Sequence, residues 1–250
     1  MVAVLAVLVT ACHVRTEIDI DVNANGSGRA TVSVTLDADA VMRVGDPQSL
    51  LKVDDLGKAG WTVTQSRGSD GSQTFTATKP FADPAQADEV FKELAGSPFQ
   101  NFHVTRSRSF AKTTTEFTGT VDFAKGAESF TDPDLSAALD GKPLGDAVQA
   151  IEARIGQKLD DVFQFRIAVR LPGDVTSNAP GRASNGAEWE PTLSQTAPVT
   201  LVAKGEAYRT STLVFTGIAI TAFIALVILL LVRLAVRSRR RRLQPANSTQ

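Results

Sequence analysis

The sequence predicts an α+β domain with a largely antiparallel β-sheet and two to three helices, followed by one C-terminal transmembrane helix. Segments that alternate apolar and polar residues recur between residues 17 and 123, and segments with helical apolar spacing separate them. The membrane helix is predicted because residues 212 to 232 contain no charge, and a helix of that length reaches about 30 Å.

Three β-hairpins account for most of the predicted strands. In the first, alternating segments flank the polar turn at residues 23 to 28, which contains Asn-Gly. The second hairpin spans residues 61 to 79, and the third spans residues 102 to 123. Further strands are predicted at residues 162 to 171, around Trp189 and at residues 199 to 204.

The predicted helices lie between the hairpins. Asp83 and Pro84 begin the clearest one, because Asp is a frequent N-cap and Pro suits the first helical position. Its apolar residues follow at helical spacing: Ala87, Val90, Phe91 and Leu94. A weaker helix is predicted to begin at Asp46, and a third carries apolar residues between 144 and 155.

The N-terminus predicts export and lipidation. Residues 1 to 11 form a signal peptide in this interpretation, and Val9-Thr10-Ala11-Cys12 resembles a bacterial lipobox with Cys12 as the lipidated first mature residue. A signal peptide ordinarily begins with positive charge, and none precedes His13, so we expect the natural start to lie upstream. The alternative is an ordinary signal, cleaved or uncleaved. A single cysteine excludes intramolecular disulfides and Cys-rich zinc sites.

The C-terminal tail predicts the topology. Residues 233 to 250 are Arg-rich, which places this tail in the cytoplasm and the domain of residues 12 to 206 outside, in a single-pass protein of the cell membrane. The tail holds six of the 26 basic residues, and the other 20 are outnumbered by 27 acidic ones, which argues against nucleic-acid binding. Besides Arg233, the arginines that determine this topology are Arg237, Arg239, Arg240, Arg241 and Arg242.

Two acidic segments carry residues that could bind a metal or act in acid/base chemistry. Asp21, Asn23 and Asn25 fit the start of a calcium loop, but Val32 stands where a bidentate Glu is needed, so a hairpin turn is the preferred interpretation. Glu17 and Asp19 join Asp21 on one strand face and could supply an acid/base pair. The preferred interpretation is a solvated face opposite cross-strand partners such as Arg29. We predict no enzyme, no metal and no cofactor.

One segment suggests a ligand site. If residues 102 to 110 keep strict alternation, Arg106 and Arg108 share a face with Phe102 and Phe110. The hypothesis is that the two guanidinium groups bind a phosphate at the mouth of an apolar cavity. The alternative is that both arginines flank the hairpin turn and point into water, while the phenylalanines fill the core.

Several short motifs resemble the actinobacterial LppM lipoprotein family in their order along the chain. Besides the lipobox, the single span and the Arg-rich tail, they are Gly60-Trp61, Leu171-Pro172-Gly173, Ser177-Asn178 and Trp189. The resemblance covers roughly residues 12 to 242. It implies a β-rich, barrel-like surface domain with a hydrophobic cavity, which binds phosphatidylinositol-derived glycolipids and mediates host-cell contact in pathogenic members. It supplies no catalytic residues.

The sequence therefore favours a non-enzymatic, membrane-anchored lipoprotein of the cell envelope. Its expected partners are the membrane and an anionic lipid or phosphatidylinositol-type glycolipid, held in an apolar cavity. The alternative function is a structural or protein-interaction module of the envelope with no small ligand.

Overall fold

The computed structural model describes residues 13–44, 53–94, 98–124, 158–182 and 186–208, together with residues 218, 221–224 and 228. The strands are β1 (Val14–Val22), β2 (Gly28–Leu36), β3 (Thr62–Arg67), β4 (Gln73–Phe81), β5 (Phe99–Arg108), β6 (Lys112–Val121), β7 (Phe163–Arg170), β8 (Asp174–Ser177), β9 (Gly186–Trp189) and β10 (Val199–Tyr208). The helices are α1 (Ala38–Val44), α2 (Val53–Lys58), α3 (Pro84–Leu94) and α4 (Leu159–Val162). Residues 221–224 are also helical.

The described chain divides into two compact units. The first, which we call the sheet unit, holds the described residues up to 107 and those from 113 to 207. The second, which we call the tip unit, holds residues 108–112 and the described residues from 208 onward. Nearly all of the regular structure lies in the sheet unit.

The larger sheet has six strands in the order β3-β4-β2-β1-β7-β9. The hairpins β1/β2 and β3/β4 are antiparallel, as the sequence predicts, and β9 runs antiparallel to β7. β7 instead pairs in parallel with β1, with Val14 opposite Phe163 and Asp21 opposite Arg170. This parallel pair joins two strands in the interior of the sheet that are about 150 residues apart in sequence.

The smaller sheet has four strands in the order β5-β6-β10-β8. Its core-facing residues alternate with outward ones along β6, where Thr113, Thr115, Phe117 and Val121 are buried. Gly119 also lies on that face, and a side chain there would meet the ring of Phe102. The missing side chain therefore makes room for an aromatic ring.

One hydrophobic cluster unites both sheets with α3. It contains Ile20 of β1, Ile167 of β7, Phe117 of β6 and Leu201 of β10, each fully buried. α3 contributes the face that its apolar spacing predicts: Ala87, Val90 and Phe91. The predicted start of this helix is confirmed, because the Gln86 amide donates to Asp83 Oδ1 at 2.9 Å.

The predicted fold class is wrong in its details. The strands form two sheets with linear strand orders, one of which contains a parallel pair, rather than one largely antiparallel or barrel-like sheet. The described residues contain five short helical segments instead of two to three helices. The reason is that alternation identifies strands and their buried faces, but it does not specify which edges pair.

The predicted transmembrane helix needs a separate correction. Among the described residues, no helix is both long and apolar enough to cross a membrane. Most of residues 212 to 232 lies outside the described residues. The same is true of the predicted signal peptide with Cys12, the predicted helix start at Asp46, the predicted helix between 144 and 155 and the tail of residues 233 to 250.

Candidate functional site

The outward face of the six-stranded sheet carries most of the polar chemistry of the sheet unit. Along β1, residues 16, 18, 20 and 22 turn toward the core, so the carboxylates of Glu17, Asp19 and Asp21 turn outward. In the parallel register, β7 places Arg166 and Arg170 opposite Glu17 and Asp21. Acidic and basic side chains thus meet across two strands that are about 150 residues apart in sequence.

These groups form an ion-pair ladder. Arg170 donates to Asp21 Oδ1 at 2.8 Å and to Asp19 Oδ1 at 2.9 Å. Arg166 donates to Glu188 Oε2 of β9 at 2.8 Å and lies 3.8 Å from both Glu17 and Asp19. On the other side, Arg29 of β2 donates to Asp21 Oδ2 at 3.1 Å, which confirms the predicted cross-strand partner. The ladder consists of those residues: Glu17, Asp19, Asp21, Arg29, Arg166, Arg170 and Glu188.

Contacts within the ladder stabilise the charged forms of its carboxylate and guanidinium groups. The hydrogen bond from Arg166 lowers the pKa of the Glu188 carboxyl, and the guanidinium charge acts in the same direction. Reciprocally, hydrogen bonds to Glu188 and Asp21 raise the pKa of Arg166 and Arg170. All three carboxylates of β1 contact arginines, which favours the structural interpretation of this face over an acid/base pair.

The lowered pKa of Glu188 predicts a pH dependence of stability. A carboxyl whose pKa is lower in the folded chain stabilises it above the unfolded value, about 4.3, and loses that contribution as the pH falls through the folded value. We expect Glu188→Gln to cost about 1 kcal/mol at neutral pH, because the ladder is partly solvent-screened, and little at pH 3. Urea denaturation across this range measures the difference. An equal loss at both pH values would mean that the charge of Glu188 contributes nothing.

An array of hydroxyl groups continues the polar face beyond the ladder. β2 and β4 pair their outward side chains in three rows: Thr31 with Thr78 at 3.3 Å, Ser33 with Thr76 at 3.1 Å and Thr35 with Thr74 at 2.9 Å. The edge strand β3 extends each row with Thr62, Thr64 and Ser66. The residue types suit strands, because threonine packs well on a pleated surface.

The segment that fits the start of a calcium loop is a hairpin turn in the structure, as the preferred interpretation predicts. Asn25 Oδ1 accepts hydrogen bonds from the amide and the hydroxyl of Ser27, at 3.0 and 2.7 Å. Gly26 has φ +94°, which glycine adopts without strain. Asp21 is held by arginines, and no group of three His, Cys, Asp or Glu residues in the described chain could hold a metal ion.

The four residues of the predicted ligand site fall into two different units. Phe102 is buried in the sheet unit as alternation predicts, and it packs edge-on against Phe117 with ring centroids 5.5 Å apart. Arg106, also in the sheet unit, is half-buried and donates to the carbonyl of Ala24 at 2.7 Å, which ties β5 to the β1–β2 turn. Arg108 and Phe110 belong to the tip unit, and both are exposed.

The phenylalanines pack mainly against each other. Phe91 lies edge-on to Phe81, Phe102 and Phe117, with centroids 6.1 to 6.2 Å apart. A second group joins Phe99, Phe123 and Phe165, at 4.9 to 6.5 Å. Edge-on rings, such as those around Phe91, are a preferred packing of aromatic cores. In both groups the rings therefore contact each other within the described core.

Two open clefts lie at opposite ends of the ladder. One, of about 390 Å³, is lined by residues that include Arg15, Arg166, Asp160 and Glu190. The other, of about 550 Å³, is lined by residues that include Asp21, Arg29 and Arg170. Charged side chains line both clefts, so neither resembles the apolar cavity that a lipid chain needs.

The motifs that carried the family resemblance have structural roles here. Gly60 has φ +86°, and Trp61, which follows it, donates from Nε1 to Glu93 at 2.8 Å. Asn178 Oδ1 accepts from Trp189 Nε1 at 3.2 Å and from the Val202 amide at 3.0 Å. These motifs therefore hold strand ends and turns together.

The comparisons with known proteins give one similar structure. The chain is similar to the NMR structure of the folded domain of LppM from Mycobacterium tuberculosis, with 14% sequence identity and a TM-score of 0.40. The match covers 81% of this chain and 95% of that domain. No protein-family model and no curated protein matches the sequence. At this identity and TM-score, membership of the LppM family stays a prediction.

Proposed function

We propose that this chain is a non-enzymatic lipoprotein of the cell envelope, whose folded domain serves as an interaction module without an internal small ligand. The packing of the phenylalanine rings carries this proposal. A lipid-binding cavity needs apolar walls that face open space, whereas these rings face each other across the described core. We therefore favour the interaction module over the lipid-filled cavity.

The polar face agrees with a non-catalytic role. Its carboxylates are paired with arginines, and its hydroxyl groups bond across β2 and β4. Catalytic sites bring a nucleophile or an acid to a place where a substrate can reach it, and general acids and bases there have pKa values adjusted toward the working pH. The pKa of Glu188 is lowered, in the opposite direction.

The envelope location rests on the sequence at Cys12. The only cysteine of the chain follows an apolar run and a small residue, which is the arrangement of a lipobox. β1 begins at Val14, two residues further on, so an acyl group on Cys12 would hold the sheet unit next to the membrane surface. A single acyl chain binds membranes only marginally, so we expect more than one chain at this site.

Mass spectrometry of the chain isolated from bacterial membranes tests the location. We expect the mature chain to begin at Cys12 and to carry a diacylglyceryl thioether there. We expect Cys12→Ser to remove the lipid mass and the cleavage together, because processing of a lipoprotein depends on the modified thiol. An unmodified Cys12, or a wild-type chain processed at another residue, would contradict the proposal.

A further inference from the structure

The turn between β5 and β6 exposes an aromatic side chain between two basic ones. The turn is tight, because Ser109 donates to the carbonyl of Lys112 from its amide at 2.8 Å and from its hydroxyl at 3.2 Å. Only Phe110 and Ala111 lie between these two residues, and 71% of Phe110 is exposed. Arg108 precedes the turn and is exposed as well.

The tip unit concentrates the exposed apolar surface of the described chain. Seven large hydrophobic side chains are exposed among the described residues, and six of them belong to this unit. The six are Phe110, Tyr208, Ile218, Phe223, Ile224 and Ile228. Exposed apolar side chains are groups that contact with a protein or a membrane would cover.

The charges of the turn decide between those two partners. Residues 108 to 112 read Arg-Ser-Phe-Ala-Lys and contain no acid. An aromatic ring suits the boundary between lipid headgroups and acyl chains, and basic side chains beside it bind anionic headgroups.

We propose that the tip of the β5–β6 hairpin docks on an anionic bilayer. Phe110 enters the headgroup region, and the exposed guanidinium group of Arg108 binds a lipid phosphate beside it. This contact holds the hairpin tip itself against the bilayer. It does not depend on acylation of Cys12, so it goes beyond the proposed function and is tested separately.

Tryptophan fluorescence of the full chain tests the docking. The variant Phe110→Trp is mixed with vesicles of phosphatidylcholine and phosphatidylglycerol whose acyl chains carry bromine, a short-range quencher. The natural tryptophans Trp61 and Trp189 are 6% and 2% exposed, so the wild-type chain supplies the baseline. We expect a blue shift of the added emission and loss of most of its intensity. The result should be the same with Cys12→Ser in the background.

Two further variants make the test specific. Ser69→Trp places a tryptophan in the exposed turn between β3 and β4, in the sheet unit, and we expect no quenching there. Adding Arg108→Glu to Phe110→Trp should weaken quenching in anionic vesicles at low salt and leave pure phosphatidylcholine vesicles unaffected. An unquenched Phe110→Trp, or equal quenching at residue 69, would overturn the proposal. A blue shift without quenching would also overturn it, because the tip would then be buried in a second copy of the chain.

Discussion

The variant Phe91→Ala is expected to lose about 3 to 5 kcal/mol of unfolding free energy, because truncation of a buried phenylalanine leaves a cavity that its neighbours fill only partly. Phe91 is 1% exposed, and its ring contacts the rings of Phe81, Phe102 and Phe117. These partners come from β4, β5 and β6, so α3 connects strands of both sheets through this one side chain.

Urea denaturation of the purified chain measures this loss, with the emission of the buried Trp61 and Trp189 as the signal. The matched control is Phe110→Ala, which removes the same side chain from an exposed position and should change stability by less than about 0.5 kcal/mol. A loss below about 1 kcal/mol for Phe91→Ala would mean that space already exists around the ring. That result would support the alternative that the core contains an internal cavity.

The second large effect is expected at Gly173, in the turn between β7 and β8. Gly173 has φ +85°, a conformation that costs other residues about 1 to 2 kcal/mol. In addition, a Cβ atom there would overlap the backbone carbonyl group of Glu206 on β10, and such crowding costs about 1 to 3 kcal/mol. We therefore expect Gly173→Ala to lose about 2 to 5 kcal/mol.

A second glycine supplies the control for this substitution. Gly57 lies in α2, and a Cβ atom added there meets no atom within 4 Å. Alanine suits a helix better than glycine, so Gly57→Ala should gain up to about 1 kcal/mol in the same denaturation assay. If the two variants changed stability equally, Gly173 would not be required by its turn and by its contact with β10.

Local features of the fold could be predicted from the sequence. Alternation located the hairpins, and Asp83 with Pro84 located the start of α3, because those signals act over a few residues. Helix α1 was not predicted, although the sequence offers Asp37 as its N-cap. Asp37 caps this helix, and its Oδ1 accepts from the Ala40 amide at 2.7 Å.

The pairing of distant strands could not be predicted in the same way. β1 and β7 are parallel neighbours across about 150 residues, and each strand pattern specifies only its own buried face. The charges offered a clue that we did not use, since three acids on β1 match two arginines on β7. This complementarity would have identified the neighbour before the structure did.

The predicted ligand site depended on where alternation stops. Phe102 and Arg106 keep the pattern within β5, but the strand ends at Arg108, and Phe110 lies in the turn that follows. A turn frees side chains from the two faces of a sheet, so periodicity alone does not place them. Of the four residues, Phe102 therefore packs in the core and Arg106 bonds to the β1–β2 turn. Arg108 and Phe110 are exposed at the hairpin tip.

Native mass spectrometry of the chain extracted from membranes tests the central claim most directly. The claim is that the domain is an acylated interaction module whose core holds no small ligand. For the Phe110→Ala variant, which lacks the aromatic side chain of the hairpin tip, it predicts the mass of the mature chain with its covalent lipid at Cys12 and no further adduct, also after anionic glycolipid is added. A second lipid bound noncovalently at a one-to-one ratio, and retained by the Phe110→Ala variant, would contradict it, because the lipid would then occupy the interior.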